Sequence, residues 1–202
     1  MAVAPKYTLS HILSAQPSAP VHTIELYLDY VCPYSASLLL TLHTHIFPML
    51  STVYPRARFI LRHQVQPWHP TSTLVHEAAL AVGLVAPERF LLFSVALMAR
   101  QAEYFDGPTA NEGRNHIYRR LAELAAAMGV DQARVLELLT VGEEAGNAGN
   151  RVTDDLKIHI KAARRQGIHV SPTVVFNGVV ETAISSAWMK EQWVEWLDKN
   201  VR

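Results

Sequence analysis

The chain has 202 residues, half of them apolar, and eighteen basic residues balance eighteen acidic ones. That length suits one well-cored domain carrying an insertion, and the zero net charge removes any bulk attraction to nucleic acid. A single cysteine excludes an intrachain disulfide and a cysteine-based metal centre, and no apolar run is long enough to cross a bilayer.

Residues 1–22, with Pro5, Pro17 and Pro20 among small polar residues, read as an arm or lead-in strand outside the core. The start lacks the basic-then-apolar layout of a secretory signal, and a lone cysteine agrees with a reducing compartment, so the expectation is a soluble, cytoplasmic protein. Residues 23–31 read as a buried strand. Residues 33–47 follow as a helix through Leu38, Leu39, Leu42 and Ile46 that ends near Pro48, and 57–65 form a second strand broken at Pro67. This is a βαβ unit within 23–70. Its right-handed crossover brings the C-terminal ends of both strands to one sheet edge and sets the loop Gln66-Pro67-Trp68-His69-Pro70 near Cys32.

From 71 to 165 the pattern is helical, in segments 71–83, 87–105, 111–128, 131–140 and 151–165, punctuated by Pro87, Gly107-Pro108, Gly129 and Gly146-Asn147-Ala148-Gly149. The block reads as an insertion lying over the sheet, with the apolar stripe 90–99 as its core. Residues 166–202 return to strand, an Asn177-Gly178 hairpin turn, strand, and an amphipathic helix over 187–198 that carries Trp188, Trp193 and Trp196. The result is an α/β fold, βαβ then helices then ββα, around a mixed central sheet.

The first strand runs into Cys32-Pro33-Tyr34-Ser35. A thiol at a helix start meets unpaired backbone N–H groups and a partial positive charge, which favour thiolate, and Pro33 suits the first helical position because its missing donor costs nothing there. The expectation is an open, electropositive helix start with Cys32 as nucleophile; an inert packed thiol is the alternative. The spacing is that of a C-x-x-C redox motif with Ser35 in the second place, so the chain attacks a disulfide or an electrophile without closing a disulfide of its own. Ser35 is read either as a hydrogen-bonding partner of the thiolate or as an ordinary first-turn residue, and Tyr34 either as a cover for the helix end or as a substrate contact. His69 and His169 are candidates for a general base or substrate contact. The other histidines form no H-x-x-x-H or H-E-x-x-H pair, and no metal site is expected.

Cys32-Pro33-Tyr34-Ser35 after a strand, an all-helical block, and Ser171-Pro172-Thr173 opening a terminal hairpin together resemble the DsbA-like branch of the thioredoxin-like superfamily over about residues 23–198. The resemblance implies a cis Pro172 facing the thiol, with the Ser171 backbone offering hydrogen bonds to an extended thiol ligand such as a peptide or glutathione. It makes Cys32 and Ser35 the reactive pair; Pro33, Tyr34, Ser171 and Pro172, with Trp68 and His69 placed at this edge by the crossover and His169 two residues before Ser171, are the expected substrate-binding set. Cys32 then works as a monothiol, with no bound cofactor and glutathione as an external co-substrate. The same pattern is similar to kappa-class glutathione transferases and chromene-carboxylate isomerases, which implies a second reading as a small-molecule isomerase or transferase. A third is a non-catalytic binding or dimerisation module, and a homodimer stays open under all three.

Overall fold

In the computed structural model, residues 3–13 and 22–201 are described. The central strand β1 (His22–Leu28) pairs in parallel with β2 (Ala57–His63) and antiparallel with β3 (Thr173–Phe176), and a short β4 (Val179–Val180) completes a mixed sheet of order β2-β1-β3-β4. Lying in mid-sheet, β1 is buried from Ile24 onward, which is why its sequence is nearly continuous in large side chains. Its one carboxylate, Glu25, is neutralised across the strands by Arg62, whose Nε donates to Oε2 at 2.6 Å. Asn177 and Gly178, both at positive φ, make the tight turn that β3 and β4 need.

Segment 3–13 corrects the expectation of a peripheral arm. A short helix α1 (Thr8–His11) lies there, and Tyr7 and His11 are buried in the core. Pro17 and Pro20 fall outside the described residues. The helix expected over 33–47 is regular only in α2 (Pro33–Thr41). It then widens into a π turn over Leu42–Ile46 and tightens into a 3-10 turn over Phe47–Met49, where Pro48 removes a backbone donor.

The insertion consists of α3 (Ser72–Val85), α4 (Phe90–Ala99), the single turn α5 (Asp106–Thr109), α6 (Arg114–Ala127), α7 (Gln132–Leu139) and α8 (Thr153–Arg165). The stretch 87–105 is therefore not one helix: 3-10 turns at Pro87–Arg89 and Gln101–Tyr104 flank α4. A buried carboxylate ties these helices together. Glu77 on α3 accepts from Tyr118 on α6, from Thr153 Oγ1 at 2.6 Å and from Asn150 Nδ2 at 3.1 Å, so the start of α8 is fixed to the middle of the block. The last helix, α9 (Lys190–Asn200), buries Trp193 against Phe59 of β2, with the rings 6.4 Å apart.

Candidate active site

Strand β1 stops at Leu28, and the next residue, Asp29, turns its carboxylate back onto the chain. Oδ1 accepts from Val31 N at 3.0 Å, while Oδ2 accepts from Gln66 N, from His69 Nδ1 and from Ser72 Oγ, each at 3.0 Å. The Asp29 carbonyl accepts from Cys32 N at 3.1 Å, and the Cys32 carbonyl accepts from Ala36 N, starting α2. A fully buried aspartate thus fixes both the cysteine loop and the loop after β2. Sequence reasoning missed it. The available signal was a lone acid between Leu28 and Tyr30 at the end of a buried strand.

Across the site the Ser171–Pro172 peptide is cis, and Cys32 Sγ lies 3.4 Å from the Ser171 carbonyl oxygen. The expected open helix start is corrected: Cys32 is only 5% exposed, with the Ser171 carbonyl lying against its sulfur. What solvent meets instead is the rim, formed by Pro33, Tyr34 and Trp68, the last two exposed by about two thirds. Ser35 is fully buried, and its Oγ accepts from Asp29 N at 3.2 Å, so its assigned contact is to the loop backbone.

His69 combines its bond to Asp29 with a place in the wall of a cavity of about 310 Å³, beside Val31, Pro33, Thr71, Tyr104 and Phe105. The structure therefore groups His69 with Val31 and Pro33, the neighbours of Cys32 in the chain. His169 is separate from that cavity: its Nδ1 is bonded to its own loop at Gly167 O, 2.7 Å away, and the ring lines a second groove with Gln66, Trp68 and Arg164. In that groove wall the Gln66 side-chain amide is buried without a hydrogen-bond partner among the described residues; outside the groove, the Ser171 hydroxyl is in the same position.

Away from the cysteine, ring nitrogens of His11, His63 and His159 lie within 4.8 Å of one another, a spacing open to a metal ion. They come from α1, β2 and α8, so no local spacing reveals them. Among the described residues no helix is long and apolar enough to cross a membrane.

No family profile and no curated protein matches the sequence. Solved structures do. A proposed protein-disulfide isomerase from Pseudomonas syringae superimposes with a TM-score of 0.71 at 24% identity, covering 95% of this chain and 99% of that one. MdbA, a thiol-disulfide oxidoreductase from Corynebacterium diphtheriae, gives 0.64 at 20% identity over 94% and 90% of the two chains. BdbD from Bacillus subtilis gives 0.63 at 19% identity over 96% and 93%. The fold is thus thioredoxin-like, of the DsbA kind with its helical insertion. At these identities the likeness concerns architecture, and the chemistry rests on the site itself.

Proposed function

We propose that the protein is a thiol–disulfide oxidoreductase that works with one sulfur. The observation that carries this reading is the 3.4 Å approach of Cys32 Sγ to Ser171 O at the start of α2, with an exposed aromatic rim around it. An extended disulfide substrate lies along the Ser171–Pro172 bend. The Cys32 thiolate attacks one of its sulfurs, the old S–S bond breaks, and the departing thiolate takes up a proton from solvent. A mixed disulfide on Cys32 results. With Ser35 in the second position, an external thiol such as glutathione attacks that mixed disulfide, releases Cys32 as thiolate and carries away the oxidising equivalent. Because the resolving thiol is external, a reducing compartment such as the cytoplasm belongs to the proposal.

Intact mass after incubation with oxidised glutathione tests it. One glutathione adduct per chain, absent in Cys32→Ala and removed by reduced glutathione, is the expected result. An unmodified chain under conditions that modify free cysteine overturns it.

The cavity bounded by His69, Pro33 and Tyr104 favours a second reading, a small-molecule isomerase or transferase on the same fold. Turnover of a small carbon substrate without added thiol, lost in Cys32→Ala, distinguishes it from the first.

A further inference from the structure

Four imidazoles meet between α1, β2, α3 and α8. His11, His63 and His76 are buried and His159 is half-buried. His11 Nε2 and His63 Nε2 are 2.7 Å apart, and the other nitrogen of His63 stands 2.7 Å from His76 Nδ1. His159 packs edge-on against His63 at 4.8 Å and parallel to His11 at 5.5 Å between ring centres.

Counting protons decides what these contacts mean. Ser10 Oγ contacts both Tyr7 O, at 3.2 Å, and His11 Nδ1, at 2.8 Å. A hydroxyl has one proton and a carbonyl only accepts. Both contacts are satisfied when Ser10 donates to Tyr7 O and receives from His11 Nδ1–H, which leaves His11 Nε2 as a bare lone pair. On the other side, His76 Nε2 faces the Asp29 carboxylate, with Oδ1 3.8 Å away, and has no closer partner among the described residues. Beside a carboxylate, that nitrogen carries the proton. His76 Nδ1 is then an acceptor, His63 Nδ1–H donates to it, and His63 Nε2 is bare too. Two lone pairs face each other in the interior at hydrogen-bond distance, with a third imidazole alongside. That arrangement calls for a cation.

We propose that His11, His63 and His159 form a binding site for a divalent transition metal, zinc by its ligand type, with the Nε2 atoms of His11 and His63 as two of its ligands. Three imidazoles with a fourth position open is a common zinc arrangement, with metal–nitrogen distances of about 2.0–2.1 Å. Tetrahedral binding at that distance sets ligand nitrogens roughly 3.4 Å apart, so loading widens the His11–His63 gap by several tenths of an ångström. The outer partners already match: Ser10 orients His11, and the His76–Asp29 pair orients His63, the support that metal-bound histidines usually receive. A cavity of about 20 Å³ beside His63, His159 and Arg62 has room for one water as the fourth ligand. The Arg62 charge at its edge is offset by Glu25. Burial keeps His11 and His63 well below the ordinary histidine pKa, and therefore uncharged. Because the three ligands come from α1, β2 and α8, the ion clips the N-terminal segment to the sheet and to the insertion.

The test uses the full chain made without a polyhistidine tag, stripped with a chelator and reloaded with Zn²⁺ or Co²⁺. Expected are one metal per chain by mass spectrometric metal analysis, tetrahedral visible bands from the Co²⁺ form, and a higher melting temperature on loading. His159→Ala, at the half-buried ligand, weakens binding by more than about 100-fold, whereas the exposed His169→Ala leaves it unchanged. Should His159→Ala not fold, zinc-edge X-ray absorption of the wild-type protein decides, three imidazole nitrogens supporting the site. Absence of stoichiometric binding, or binding unaltered in His159→Ala, overturns the proposal and leaves a proton between His11 and His63.

Discussion

Cys32 and Ser171, 139 positions apart in the chain, meet with 3.4 Å between sulfur and carbonyl oxygen. As a thiol, Cys32 donates its weak S–H to that oxygen; as a thiolate it has no proton to give, and the two electron-rich atoms repel. Ionisation therefore loosens the contact that closes the site.

The rim gives a direct prediction. Trp68 is largely exposed and stands edge-on to His69 at the rim of a groove, so Trp68→Ala leaves stability within about 0.5 kcal/mol of wild type. If the aromatic surface holds substrate, the same change raises KM for a peptide disulfide by roughly threefold to tenfold with kcat nearly constant. Steady-state kinetics check this, and an unchanged KM counts against the rim as a substrate surface.

Mid-sheet, Arg62→Ala takes from the buried Glu25 carboxylate its opposite charge, leaving it hydrogen bonds such as that from Tyr27, which costs about 3–5 kcal/mol in urea unfolding. Replacing both partners together, as Glu25→Leu with Arg62→Met, recovers most of that loss. A double variant no more stable than Arg62→Ala contradicts the account.

In the insertion, Glu77→Ala removes the common acceptor of Tyr118, Thr153 and Asn150. The expected loss is about 2–3 kcal/mol: the buried Tyr118 hydroxyl loses its acceptor, while Asn150 and Thr153 keep their weaker bonds to Tyr118 and to each other. Hydrogen exchange should rise first at the start of α8, and uniform protection in the variant would contradict the placement of the tie.

Acid should unfold the metal-free protein early. Burial pushes His76 and His159 down to about 4, and Asp29 beside His76 only partly opposes this. The unfolded chain takes up protons near 6.5 that the folded chain refuses until about 4, so stability is complete above pH 6.5 and falls as pH drops through that window. Each group accounts for about 3 kcal/mol between the two ends. The charges facing the cluster are Asp29, Arg62, Asp155 and Lys6. Urea midpoints at pH 7, 5.5 and 4.5, with chelator present, measure the effect, and a flat profile across that range refutes it.

The fold was legible in the sequence where period and punctuation agree. The strand into Cys32, the Asn177-Gly178 turn and the Pro- and Gly-marked helices each announce themselves within a few residues. Placing the Trp68-His69 loop by the crossover rule put His69 at the reactive edge, where it lines the cavity with Pro33. Burial of Tyr7 and His11 was not legible, because a short helix between prolines has too little periodicity to show an inward face. Asp29 and the histidine cluster escaped for a related reason: their partners lie tens of positions away, and only the folded chain brings them together.

One carboxylate holds the whole of one side of the doorway. Since Asp29 grips residues 31, 66, 69 and 72 at once, neither loop swings without dragging the other, and the sulfur's frame behaves as a rigid jamb. Any widening of the gap over the sulfur therefore falls to the opposite post, the stretch 169–172, where exposed His169 and Val170 precede the cis bend.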